Sequence, residues 1–437
     1  MAGLVTDLRQ LLGDRSVRRL LGGRLVSLAG DDLYTVATLW LVYTLTGSTL
    51  LTGVAGFLSR APGALGVLLG PLVDRSPLGR LLVGSELAGM ALVAVVPLAE
   101  AAGLLSVELV LAVVPLVALA GELSGPAETA AVPRIVEESL LVRLNSVYRV
   151  SSGAVDTAAN GLAGLAVAAI GAVPLFAVNA ATFGLAAFLF AGMRVPAGGN
   201  GDDEGAASEP DEDDEEEGTG KATDGRLAEY LDELREGLGL LTGSLLGHML
   251  AAATAANALA GVRTAVLPAY ADGIGGAATY GLLLAGLTAG GLVGSFAGGA
   301  LEGVSFGRLS VVGFTAAGLL LAGGVLVGGP LATTALFAAA TVGTGAYSVL
   351  ASAAVQTGVP NEMLGRTSAV IGSATGVAVP VGTLAGGVAG DLLGARPVLL
   401  LSAAGYLLAA GYWLVVPALR RFPPLASLEP GAFDPAG

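Results

Sequence analysis

The sequence predicts an all-α membrane protein in which twelve transmembrane helices form two parallel repeats of six. Of the 437 residues, 54% are hydrophobic and 13% are charged, and the mean hydropathy of +0.77 exceeds what a soluble domain can bury. Apolar segments of about 20 residues, the length that crosses the hydrocarbon layer, recur along nearly the whole chain. One motif also occurs twice, as "GPLVDRSPLGRL" from Gly70 and "GGALEGVSFGRL" from Gly298. Together these observations predict a repeated helical bundle.

Twelve apolar segments define the predicted spans. Strands of a transmembrane barrel would alternate polar and apolar residues, and these segments do not. The first span is too long for a cleavable signal peptide and follows a charged start, so we expect it to direct insertion itself. The spans cover residues 22–45, 49–72, 81–100, 104–126, 147–170, 173–194, 239–268, 277–300, 308–329, 331–356, 367–392 and 397–418.

The arginines predict the orientation of the bundle. With the N-terminus on the cytoplasmic side, the arginines outside the spans fall almost entirely in inner segments, and Arg396 alone lies in an outer loop. Inner loops carry an excess of Lys and Arg in membrane proteins. We therefore expect a multi-pass protein of the cell (plasma) membrane with both termini in the cytoplasm.

The chain divides into a first half (1–194), a linker (195–236) and a second half (237–437). Much of the net charge of −14 comes from the stretch "DDEGAASEPDEDDEEE" at 202–217, whose composition predicts a disordered cytoplasmic segment. Apolar residues from Leu227 to Leu238 recur at helical spacing, which predicts a short amphipathic helix on the inner membrane surface. Partner binding by this segment is the alternative. The scarcity of lysine, with Lys221 against twenty arginines, is typical of a halophile.

The repeated motif places charges in two short loops between apolar runs. In the first copy the relevant residues are Gly70, Asp74, Arg75, Gly79 and Arg80, and the second copy supplies Glu302, Gly307 and Arg308. An acid beside arginines can form charge-assisted hydrogen bonds at a place that opens and closes. We therefore predict a gating role for both loops, while a turn with positive anchors is the alternative.

These residues carry a resemblance to the major facilitator superfamily of secondary transporters. The loop from Gly70 resembles the superfamily's motif between spans two and three, in which a Gly precedes an Asp-Arg pair and a Gly-Arg pair. The three residues between Arg75 and Gly79 are similar to the branch of macrolide efflux proteins and the enterobactin exporter, as are the segments 30–48 and 126–146. Drug antiporters carry a Gly-Pro motif in span five, where this chain reads "ANGLAG". The resemblance implies a fold of six plus six helices, alternating access and export.

Six ionisable residues inside the predicted spans are the candidate coupling and cavity residues. An intramembrane charge is costly unless it faces a cavity or a partner, which makes each a functional candidate. Pairing of Asp31 or Asp32 with Arg60 is expected from their similar depth, and a purely structural ion pair is the alternative. Any of the acids could carry a proton, and the single histidine is a further candidate for this role. These candidates are Asp31, Asp32, Arg60, Glu122, Asp156 and His248.

Glycines at four-residue intervals mark one face of span eight. Gly286, Gly290, Gly294 and Gly298 leave room for a neighbouring helix backbone. Two interpretations stay open, namely ordinary helix packing and a rocking interface between the halves. Gly382, Gly386 and Gly390 form a similar face in span eleven.

Secondary active transport is the predicted function. The Gly-Lys at Lys221 lacks the flanking residues of a phosphate loop, so we expect an ion gradient to supply the energy. The absence of cysteine and the single histidine argue against an enzyme, a metal site or a cofactor. The expected partners are a small-molecule substrate, protons or sodium, and the lipid bilayer, without nucleic acid. Efflux of an amphiphile by proton antiport is favoured, with uptake by symport as the alternative and a sensor or lipid-moving protein as a further one.

Overall fold

The computed structural model describes residues 13–65, 76–193, 244–429 and 432–433. Within these ranges every regular element is helical, apart from one isolated antiparallel β-bridge between Ser305 and Pro424. The first half contains α1 (Arg15–Thr46), α2 (Thr49–Leu58), a 3-10 turn (Ala61–Leu65), α3 (Leu78–Ala101), α4 (Val107–Ile135), α5 (Glu138–Ile170) and α6 (Val173–Ala191). The second half contains α7 (Leu245–Ala300), α8 (Phe306–Val327), α9 (Pro330–Gly358), α10 (Asn361–Leu393), α11 (Ala395–Val415) and the short α12 (Pro417–Arg420).

The described helices account for the twelve spans of the predicted fold. Ten helices in the described ranges are long and apolar enough to cross a membrane. The longest, α7, supplies two spans because its backbone breaks at Gly275 and Gly276, and Gly276 has a φ of 73°, which favours glycine. We call residues 245–274 its first arm and 277–300 its second arm. The short α2 begins the remaining span, whose residues 66–75 lie outside the described ranges.

Short polar side chains fix where several spans begin. The Asp14 carboxylate accepts hydrogen bonds from the backbone N–H groups of Ser16 (2.6 Å) and Val17 (3.1 Å) at the start of α1. Ser48, Ser106 and Ser244 cap α2, α4 and α7 in the same way. These caps satisfy N–H groups that have no partner inside the helix, which the apolar layer would otherwise leave unpaired.

The two ends of the bundle differ in what they carry. We call the end at which α1 begins and α11 ends the terminal face, and the opposite end the distal face. On the terminal face, the segment after α12 returns across the second half, where Phe306 N–H donates to Pro423 O (3.2 Å) and Ala426 N–H donates to Glu302 O (3.2 Å). Further along, Phe433 N–H donates to Gly358 O (2.8 Å). The described C-terminal segment therefore joins the loops that precede α8 and α10.

The glycine face of the second arm of α7 packs inside the second half. A Cβ built on Gly290 would lie 1.9 Å from the backbone oxygen of Ala338, and one on Gly294 would lie 2.0 Å from that of Val342. Both partners belong to α9, and Gly286 and Gly298 meet the same helix. The interpretation of this face as a rocking interface between halves is therefore wrong, because the small residues serve close packing of two helices in one half.

Candidate functional site

A carboxylate of the second half caps a helix of the first half at the distal face. Asp391, near the end of α10, accepts hydrogen bonds from the backbone N–H groups of Thr49 (2.7 Å) and Leu50 (3.1 Å). The hydroxyls of Thr49 and Ser48 donate to the same carboxylate, each at 2.8 Å. A negative group at a helix N-terminus also interacts favourably with the helix dipole. We call this group the distal clamp.

Glycine pairs bring the backbones of the two halves together beside the distal clamp. A Cβ on Gly53 of α2 would lie 2.9 Å from the Cα of Gly387 in α10, and one on Gly164 of α5 would lie 1.8 Å from the Cα of Gly281 in α7. Each contact therefore excludes any larger residue. The halves meet closely at the distal face.

An acidic pocket lies among α1, α3, α4 and α5 in the first half. Glu86 and Glu128 are both buried, and Asp31 lines the same space, whose volume is about 150 Å³. Glu128 forms an ion pair with Arg24, and the Arg24 guanidinium lies 3.7 Å above the centre of the Tyr148 ring. The Ser27 hydroxyl donates to Glu86 at 3.1 Å. Three carboxylates and one guanidinium thus line one pocket, and Glu128 is the carboxylate that pairs with Arg24.

Asp32 lies near other charged residues than its neighbour Asp31 does. Its Oδ2 atom is buried and has no hydrogen-bond partner among the described residues. Asp156 and Arg60 act on it electrostatically, and Asn160 donates a hydrogen bond of 3.0 Å to Asp156. No salt bridge joins Arg60 to Asp31 or Asp32 among the described residues, so the expected direct pairing is not found. The two consecutive aspartates face different polar sites because successive residues of a helix point in different directions.

A larger cavity of about 590 Å³ lies in the second half, which we call the second-half cavity. The first arm of α7 lines it from Leu246, close to the terminal face, to Arg263. Met249, Phe314 and Tyr406 contribute apolar surface. Polar groups come chiefly from serines, threonines and amides of α7, α9 and α10, and among the described lining residues Arg263 is the one with a formal charge.

Two of the candidate coupling residues, His248 and Glu122, lie outside the acidic pocket and the Asp32 group. The cap formed by Ser244 places His248 about one turn into α7, near the terminal face, instead of at mid-depth. There its Nδ1 atom lies 2.5 Å from the hydroxyl of Tyr412 on α11. Glu122 is half-buried and packs against the 3-10 turn after α2, where a Cβ on Gly63 would lie 3.3 Å from its Oε1 atom. The predicted span began at residue 239, whereas α7 begins after the cap at Ser244, so the prediction placed His248 too deep in its helix.

The predicted gating loops are described in part. Gly70, Asp74 and Arg75 lie outside the described residues, while Gly79 and Arg80 form the first turn of α3. In the second copy, Glu302 and Arg308 are exposed at the terminal face, and Gly307 N–H donates to Phe422 O at 3.4 Å. The second loop is therefore in contact with the C-terminal segment.

Several charged groups of these sites were missed by reasoning from the sequence. Arg24, Glu86, Glu128 and Arg263 all lie in helices of the bundle, and each interrupts an apolar run. A charged residue within an apolar run was therefore the signal from which each of the four could have been found. Asp391 was missed because it lies at a span end, where a solvated carboxylate is ordinary.

Solved structures of transporters share this architecture along nearly the whole chain. A bacterial homolog of the human lysosomal transporter Spinster, in an inward-facing and unoccupied conformation, is 14% identical with a TM-score of 0.64, covering 93% of this chain and 97% of that one. A bacterial homologue of the iron transporter ferroportin, in an inward-facing state, is 17% identical with a TM-score of 0.63, covering 91% and 97%. An autoinhibited POT family peptide transporter is 14% identical with a TM-score of 0.63, covering 94% and 97%. No protein-family model and no curated protein matches the sequence.

The chain has the major facilitator fold. At these identities the likeness establishes the fold, and the polar sites described above have to be interpreted from the chain's own residues.

Proposed function

We propose that this protein is a secondary active transporter that moves an amphiphilic small molecule across the membrane by alternating access. One observation carries the proposal: the halves join at the distal face through the distal clamp and the glycine pairs, whereas a large cavity extends into the bundle from the terminal face. A transporter in one of its two states has such an arrangement, closed on one side of its cavity.

The terminal face is proposed to be cytoplasmic, in the cell membrane. The arginines of the inner loops support this orientation. On that basis the structure corresponds to an inward-open state. The loops with Asp74 and Glu302 would then gate the inner side, and the distal clamp would close the outer side.

Proton coupling is proposed to involve the acidic pocket and the Asp32 group. Asp31, Glu86 and Glu128 line one pocket that holds a single guanidinium, and Tyr148 and Asn179 are among their uncharged neighbours. Such a pocket has a net negative charge unless it binds a proton or another cation. Sodium is the alternative coupling ion. Uptake or loss of the proton would change the balance between inward-open and outward-open states.

Export by proton antiport is the proposed direction. It is supported by the likeness of the motif at Gly70 to macrolide efflux proteins and the enterobactin exporter, and by the apolar surface of the second-half cavity. Uptake by symport is the runner-up. A thermal-shift screen with macrolides, siderophores and sugars would identify a ligand, whose flux into or out of proteoliposomes under a pH gradient then distinguishes the two directions.

The state assignment is tested by replacing Asp391 with Ala. The loss of charge-assisted hydrogen bonds, worth about 1.5–3 kcal/mol, should shift the equilibrium towards the outward-open state about ten- to a hundredfold. Because the chain has no cysteine, cysteines introduced at Glu100 and Leu331 on the distal face can carry spin labels without removal of native thiols. The measured distance distribution should lengthen in D391A.

Asp272→Asn is the matched control, because Asp272 is an exposed carboxylate near the same face. Its distance distribution should equal that of the parent. If D391A and D272N both leave the distribution unchanged, the distal clamp does not hold the outer side closed.

A further inference from the structure

We propose that the second-half cavity binds the anionic group of an amphiphilic organic anion, a carboxylate or a sulfonate, through Arg263. The inference rests on the proposed transport function and names the class of its substrate. It also assigns a role to an arginine that was not among the candidate residues predicted from the sequence.

Arg263 lies deep in the bundle without a partner. It precedes the break at Gly275 by about 18 Å of helix, and it lies still farther from the start of α7 at the terminal face. It forms no ion pair or hydrogen bond with any described residue. Arg24, an intramembrane arginine of the first half, is by contrast paired with Glu128. An unpaired guanidinium at this depth is costly unless a cavity and a ligand compensate it.

The residues around Arg263 supply the rest of an amphiphile site. One face of α7, with Leu246, Met249, Ala253, Ala256, Ala260 and Arg263 at three- and four-residue spacing, lines the cavity. The apolar residues on this side of α7 lie between the guanidinium and the terminal face of the bundle. A ligand with an apolar body and an acidic end can therefore extend along the helix with its charge at Arg263.

The polar neighbours favour an anion over a cation or a neutral sugar. No Asp or Glu lies among the described residues that line this cavity, so a cation would meet only the repulsion of Arg263. The amide of Asn257 already donates to Ala253 O (2.9 Å), and that of Gln356 donates to Ser352 (3.1 Å). A neutral ligand would leave the guanidinium unpaired, whereas a carboxylate or sulfonate can accept two parallel hydrogen bonds from it.

The test compares binding of 1-pyrenebutyrate and of its neutral amide, 1-pyrenebutyramide, to the full chain in nanodiscs. Both probes have the same apolar body, and binding to empty nanodiscs is subtracted. The butyrate should bind at least tenfold more tightly than the amide to the parent protein. Arg263→Gln should weaken butyrate binding at least tenfold and leave amide binding unchanged, which also shows that the variant is folded. Arg263→Lys should retain part of the preference.

Arg396→Gln is the matched control, because it removes an exposed arginine at the distal face. It should bind both probes as the parent does. Equal binding of butyrate and amide by the parent, or unchanged butyrate binding in R263Q, overturns the inference. A failure of the transport proposal gives a different result, namely Arg263-dependent binding of the butyrate without any gradient-driven flux.

Discussion

The acidic pocket of the first half and the second-half cavity have opposite charge in two bundles that share one helix plan. In the first half three carboxylates line one pocket with Arg24, which is paired with Glu128. In the second half Arg263 is unpaired, and no carboxylate lies among the described lining residues. The difference shows that a repeated helix arrangement does not impose a repeated chemistry. In our proposals the first half binds a proton or another cation, and the second half binds an anion.

The largest expected effect is the difference in stability between two variants that each lose one arginine, Arg24 or Arg263. Arg24→Gln leaves Glu128 buried without its partner, and the loss of one member of a buried pair costs about 3–5 kcal/mol in stability. Arg263→Gln removes a charge that has no partner, so we expect stability to stay the same or to rise slightly. Denaturant-induced unfolding in mixed micelles measures both variants against the parent.

The effect of Arg24→Gln should depend on pH. At low pH the unpaired Glu128 can take up a proton and lose its charge, so the destabilisation should be smaller at pH 5 than at pH 8. Adding Glu128→Gln should restore part of the loss, because the double variant buries no unpaired carboxylate at this place. Equal destabilisation by R24Q and R263Q would mean that the contrast between paired and unpaired arginines has no energetic basis.

The comparison also shows which parts of the molecule the sequence predicts. The length and apolarity of the segments predicted both ends to within three residues for six of the twelve spans, since a transmembrane helix depends on local composition. Other helices, such as α4 and α5, extend well beyond the apolar segment at the terminal face, where composition gives no boundary. The break after α2, near Arg60 and Pro62, was not predicted. Proline was the available signal, because it restricts the backbone and removes an N–H donor.

The sites were harder to predict because they depend on which helices face each other. Asp31 was recognised as an intramembrane acid, yet its neighbours Glu86 and Glu128 come from other helices, at positions that no local pattern relates to it. The glycines of span eight were recognised too, but the sequence left open whether they pack within one half or between the halves. A single sequence shows that a face is small or charged, while the packing partner follows from the tertiary arrangement.

The second effect, intermediate in size, concerns the response to a pH gradient. Replacing Asp31, Asp32 and Asp156 singly with Asn should give at least one variant that binds substrate but no longer responds to the gradient. Glu86→Gln extends the series to the other buried acid beside Asp31, with which Asp31 interacts electrostatically. Gradient-driven flux in proteoliposomes and equilibrium binding are measured for each variant.

Glu100→Gln provides the control for this series, because it neutralises an exposed carboxylate at the end of α3. It should behave as the parent does. If all variants keep gradient-driven flux, the acidic half of the comparison has no role in coupling, and Glu122 or His248 becomes the next candidate.

The smallest expected effect is that of deleting residues 202–217, which belong to neither site. Each site is built within one half, so the segment between the halves has only to connect them, and its composition offers no apolar pattern on which to fold. Deletion that retains the predicted amphipathic helix from Arg226 should leave flux at high salt unchanged.

A Gly/Ser segment of equal length, put in place of residues 202–217, separates the loss of charge from the loss of length. A well-folded deletion without flux that the Gly/Ser segment restores would mean that the halves need the length of the tether to move against each other. Restoration only by the native acidic sequence would mean that the segment binds a partner, and the contrast between the two halves would then not be enough to explain transport.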